Sequence, residues 1–135
     1  AHGEGFGLPM FEAAREGLPI VTCGWSGHVG FLSYKSVNFF EEVQYTLQPV
    51  QQHAVWPGVI EGDSMWAFAD QGSYKMALRR IYKKWDKAKT RAEELKLLIN
   101  ENFSDEKLYE GFCANFIDKF DDSNWWDEEE VIEYE

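Results

Sequence analysis

Glu4 and Glu12 stand eight positions apart in the segment Glu4-Gly5-Phe6-Gly7-Leu8-Pro9-Met10-Phe11-Glu12. Gly5 and Gly7 let the backbone approach a ligand closely and adopt torsions that other residues avoid. Pro9 suits the first turn of a helix, where its missing N–H costs nothing. The free N–H groups of that turn, with the positive end of the helix dipole, favour an anion such as a diphosphate. Helical side chains lean towards the N-terminus, so the carboxylate of Glu12 points back towards the loop that bears Glu4. Two acceptors on either side of a phosphate cradle suit the vicinal hydroxyls of a sugar and a ribose. The same spacing also fits a plain helix start, in which Glu12 only complements the dipole.

The elements that must hold these residues are legible around them. Residues 9–16 are good helix formers, and Gly17 fits the C-terminal cap. Residues 19–23, Pro-Ile-Val-Thr-Cys, form a β-branched run expected to be a buried strand. Loop, helix, glycine and strand make half of an α/β unit. Residues 24–36 are expected to be loop or short helix, and residues 42–50 a strand with Pro49 near its end. Residues 51–70 hold Pro57, Gly58 and Gly62 and form a long connection with room for one more short strand. Beyond them Tyr74, Leu78, Ile81, Trp85, Ala88, Ala92, Leu95 and Ile99 recur at spacings of three and four. That stripe predicts either one long helix or two with a break near residues 85–87. Ser104 can cap a last helix whose first turn carries Asp105 and Glu106, with Leu108, Phe112, Phe116 and Phe120 on its apolar face. The expected class is α/β with a small parallel sheet and C-terminal helices.

The string Glu-Gly-Phe-Gly-Leu-Pro at 4–9, the Glu-Ala pair at 12–13 and Gly-Leu-Pro-Ile-Val at 17–21 carry a resemblance. They look like the donor-site segment of retaining glycosyltransferases of the group 1 (family 4) type, which have the two-domain GT-B fold. The likeness runs from His2 to Cys23 and continues more loosely through Gly24-Trp25-Ser26-Gly27-His28, Trp56-Pro57-Gly58 and Trp66-Ala67. It implies that Glu4 binds the hydroxyls of the donor sugar as the catalytic-site glutamate. It implies that the backbone at Gly5, Phe6 and Gly7 approaches the sugar and diphosphate, that Leu8 lines the nucleotide pocket, and that Glu12 holds the ribose. The substrate would be a UDP- or GDP-sugar, transferred with retention, with no metal and no other cofactor. Residues 1–121 would form part of a Rossmann-like nucleotide-sugar-binding domain, and residues 122–135 an acidic tail.

The same resemblance sets limits. A GT-B enzyme needs two Rossmann-like domains, and 135 residues make roughly one. The acceptor domain and the basic residues that grip the diphosphate match nothing here. The chain is therefore expected to be a C-terminal portion or a truncated product, weak or inactive alone, with surface open to self-association. The alternative is a non-catalytic module that keeps the nucleotide-sugar pocket or serves protein contacts.

Charge narrows the partners. Thirteen bases against 24 acids give −11, which argues against general nucleic-acid binding and against docking on anionic lipid. Eight acids and no base fall in residues 121–135, so the body carries only −3. Residues 75–96 carry nine bases against three acids, a run expected to be the wet side of an amphipathic helix. With Trp85 it resembles a single-strand nucleic-acid surface, which the acidic total disfavours. No apolar run suggests a membrane span, and no leader segment opens the chain, so a cytoplasmic location is expected.

Weaker motifs complete the inventory. Gly24-Trp25-Ser26-Gly27-His28 follows a strand as a hydrolase nucleophile elbow does, but its second glycine comes one place early. His28 is either a polar residue beside the donor loop or a loop histidine without a role. His2, His28 and His53 have no metal spacing with each other or with Cys23 and Cys113. The two cysteines are expected to be buried thiols rather than nucleophiles.

Overall fold

The computed structural model describes residues 2–117, with the side chains of residues 116 and 117 undescribed. The chain divides into a unit of Ala1–Glu101 and one that begins at Asn102. The acidic tail and Phe120 lie outside the described residues.

The first unit is mixed α/β. Helix α1 spans Leu8–Arg15. It ends in Gly17 at φ 68°, the left-handed cap that glycine takes at least cost. Strand β1, Val21–Cys23, follows. A single-turn helix α2, Val29–Leu32, then leads into a hairpin of β2, Ser33–Tyr34, and β3, Val37–Asn38. The hairpin turn is Lys35-Ser36, with φ 46° and 64°, the doubly left-handed form that matches strand twist. Strand β4, Glu41–Val43, lies parallel to β1, with Val21 opposite Glu41 and Cys23 opposite Val43.

After Gln44 the same extended run continues as β5, Tyr45–Pro49, and changes partner. It pairs antiparallel with β6, Met65–Ala69, from Tyr45↔Ala69 to Pro49↔Met65. The strand expected over 42–50 is therefore present, split between two ladders, and the short strand allowed for in the long connection is β6. Gln44 is stitched to the following helix at the changeover. Its N–H donates to Ser73 Oγ at 2.9 Å, and its carbonyl accepts from Asp70 N at 2.8 Å.

Helix α3, Gln71–Lys83, is capped by Asp70, whose carboxylate accepts from Ser73 N at 2.6 Å. It packs on the β1–β4 pair. Helix α4, Trp85–Asn102, follows after Lys84, whose φ of −124° and ψ of 44° break the helix. The heptad-like stripe is thus two helices. The break resets the helical phase, so the stripe is only partly a core. Ala92, Leu95 and Ile99 are buried, whereas Tyr74, Leu78 and Trp85 remain about half exposed. In α3 the buried residue is Ala77 instead, midway between half-buried Ser73 and Ile81. Among the described residues, Leu32, Leu95 and Ile99 are the largest fully buried side chains. Lys89 of α4 donates to the Gly17 carbonyl at 2.7 Å and pairs with Glu93 at 2.6 Å, fixing the end of α1 to α4.

The second unit is described as helix α5, Asp105–Ile117. Ser104 caps it as expected, accepting from Lys107 N at 3.3 Å. Leu108 and Phe112 are exposed.

Candidate functional site

Gly7 takes φ 87° and ψ 48°, and its carbonyl accepts from Met10 and Phe11 N–H to close the first turn of α1. A Cβ there would lie 2.8 Å from His28 Cβ, so glycine is required both by torsion and by space. The residues before it are clamped to the loop that leaves β1. Ser26 Oγ accepts from Glu4 N at 2.6 Å and donates to Glu4 O at 2.5 Å, and Gly27 N donates to Glu4 O at 2.9 Å. Gly27 presses so closely that a Cβ would meet the Gly5 carbonyl oxygen at 1.8 Å. Ser26 itself holds φ 85°, a left-handed torsion that a non-glycine residue keeps only when its surroundings impose it.

The aromatic ring of Phe6 turns back onto Phe11 and Phe31, with three mutual centroid distances of 5.1–5.2 Å. This cluster fixes the far side of the loop. His2 anchors the start of the described chain. Its backbone carbonyl accepts from Ala67 N, its Nδ1 donates to Ala67 O at 2.7 Å, and its ring stacks on Trp66 at 5.0 Å. The Trp66-Ala67 pair marked by the resemblance is therefore where the N-terminal segment docks.

Glu4 is half-buried and Glu12 exposed, and among the described residues neither carboxylate has an ion pair or a hydrogen bond. The backbone amides of Gly5, Phe6, Gly7 and Leu8 likewise find no acceptor among the described residues. Leu8 is exposed at the helix start. All of this lies beside the C-terminal end of β1, the end of a parallel strand where α/β proteins place ligands.

His28 is buried at 4% exposure. Its Nε2 lies 2.8 Å from the Cys23 carbonyl. A carbonyl can only accept, so Nε2 carries the proton. Thr22 Oγ1 is 3.1 Å from the same nitrogen, and Nδ1 has no partner among the described residues. His28 thus ties the loop to the end of β1. Ser26 Oγ is committed to Glu4, so no Ser–His pair forms and the elbow-like string is a clamp. Cys23 is half-buried, and burial pushes its thiol up. Cys113 is exposed, against expectation, because it lies on a stretch of α5 whose neighbours are all exposed. Among the described residues no three His, Cys, Asp or Glu side chains gather as a metal site, and no helix is long and apolar enough to cross a membrane.

A cleft of about 240 Å³ opens at the other ends of β1 and β4, lined in part by Arg80, Lys84, Lys87 and Arg91. The expectation for the basic run is only a wet helix face. The signal it overlooks is spacing: these four recur at intervals of four, three and four, which would put them on one side of a continuous helix; in the structure they come instead from α3, the break and α4. Compared with known proteins, the chain matches no family model, no curated protein and no solved structure.

Proposed function

We propose that this chain is the donor-binding portion of a retaining glycosyltransferase, a partial Rossmann-like domain that takes a UDP- or GDP-sugar. The observation that carries the reading is the clamped loop at the end of β1. The amides of Gly5, Phe6 and Gly7 before the helix and of Leu8 at its start have no acceptors among the described residues, and the carboxylates of Glu4 and Glu12, which flank them in the sequence, have no partners there. The amides and the dipole of α1 suit the diphosphate. Glu12 accepts from the ribose hydroxyls and Glu4 from those of the sugar. Glu4 is also the group beside the reacting carbon, where a carboxylate stabilises developing positive charge. Transfer needs an acceptor domain and cations for the diphosphate, so this portion binds and orients rather than turning over alone.

Calorimetric titration of the chain with UDP-glucose and GDP-mannose tests this, beside Glu4→Ala and Glu12→Ala. Binding that each substitution weakens at least tenfold is the expected result, since each removes a charge-assisted hydrogen bond. Binding indifferent to both would overturn the assignment of the pocket.

A further inference from the structure

The cleft at the opposite end of the strands is a separate site. β1 and β4 run in the same direction, so the residues that precede them share one edge and the loop bearing Glu4 lies at the other. Pro19 and Ile20 lead into β1, and Phe39 and Phe40 lead into β4. They form an apolar wall in which Phe40 is 3% exposed. Facing it are Arg80 of α3, Lys84 at the break, and Lys87 and Arg91 of α4. One carboxylate, Glu41, lines the cleft with them, and it pairs with Arg80. Lys84, Lys87 and Arg91 have no ion pair among the described residues.

Three such cations around one concavity repel each other, and low-dielectric walls strengthen their field. The start of α4 at Trp85 adds the positive end of an 18-residue helix beside Lys84 and Lys87. A compact anion with two or more charges relieves this arrangement. A long polyanion does not suit a body that is itself acidic. The aromatic and aliphatic wall offers a place for an organic group. We propose that this cleft binds a small organic phosphate, a phosphomonoester or diphosphate. Its charge rests on Lys84, Lys87 and Arg91, and its apolar part lies against Phe39 and Phe40. The proposal does not depend on the nucleotide-sugar reading, because the two sites lie at opposite ends of β1.

The test is calorimetric titration of the full chain with pyrophosphate and, separately, phenyl phosphate, at low ionic strength. The variants are K87Q/R91Q, K84Q, F39A and, as a control that displaces the loop at the other site, G27A, each checked for fold by circular dichroism. We expect both probes to bind, and K87Q/R91Q to weaken both at least tenfold, through the loss of two charged partners. F39A should weaken phenyl phosphate several-fold and leave pyrophosphate unchanged, and G27A should change neither. K84Q removes a cation at an exposed break in the chain and keeps the test open should the double variant misfold. Absence of heat from both probes overturns the site. So does affinity that persists unchanged in folded K87Q/R91Q or in K84Q. Affinity lost in folded G27A alone, in which the loop that bears Glu4 is displaced, moves the anion to the Gly7 loop and overturns the cleft while favouring the other reading.

Discussion

A methyl group at position 27 would sit 1.8 Å from the Gly5 carbonyl oxygen, a clash between two backbones that no rotamer relieves. Gly27→Ala should therefore displace the loop that carries Glu4. We expect it to abolish nucleotide-sugar binding in calorimetry although Gly27 is not itself a ligand residue. At Gly7 a left-handed torsion combines with a 2.8 Å approach of any added Cβ to His28 Cβ. Gly7→Ala should therefore cost about 2 kcal/mol or more in urea unfolding. Ser26→Ala removes both bonds to Glu4 at once. It should cost about 1–3 kcal/mol. At this scale the sequence is partly transparent. Gly7 and Gly17 can be assigned because a helix start and a helix end dictate their torsions locally. The Ser26–Glu4 clamp is hidden, since its partners are far apart in the chain and meet only after β1 is built. The exposure of Cys113 is hidden for a related reason: composition does not say whether α5 is covered, and its side chains from 105 to 115 are exposed.

Helices and turns carry their own tests. Asp70→Ala removes the cap of α3. It should cost about 1 kcal/mol in the same unfolding measurement. Lys35 and Ser36 both hold left-handed torsions. Ser36→Gly should therefore stabilise the hairpin by about 0.5–1 kcal/mol. Hydrogen bonding from Lys89 holds the Glu93 carboxyl below its ordinary range. A carboxyl depressed in the folded state contributes stability above its unfolded pKa, and that contribution is lost as pH falls through the folded value. The urea midpoint should therefore fall as pH is lowered through and below the ordinary carboxylate range, and fall less in Glu93→Gln. The helices are readable because capping and periodicity are local. The hairpin is not, because Lys-Ser lacks the Asn-Gly signature of its turn type. The break, expected near residues 85–87, falls just before them at Lys84, and the three-and-four spacing passes through it unchanged.

Across the described residues, the core draws buried aliphatic and aromatic side chains from helices, strands and the loops between them. Among the described residues, Leu32 of α2 and Leu95 and Ile99 of α4 are the largest side chains fully removed from water. Ile99→Ala should cost about 2–5 kcal/mol in urea unfolding. Tyr82, at 85% exposure, is the contrast. Tyr82→Ala should move stability by about 0.5 kcal/mol or less. The global charge can be read directly, but its local reversal cannot. An acidic chain concentrates cations in one cleft because a helix break and a strand edge bring them together.

The extended run from Glu41 to Pro49 belongs to two ladders, with Gln44 held by the start of α3 where the partner changes. Neither ladder can part without loosening the strand that serves the other. Amide exchange should report this as one opening event. The protected N–H groups of β1, β4, β5 and β6 are expected to exchange with a common free energy. The loop that carries Glu4, fastened to β1 through Ser26 and Gly27, inherits its rigidity from that shared strand.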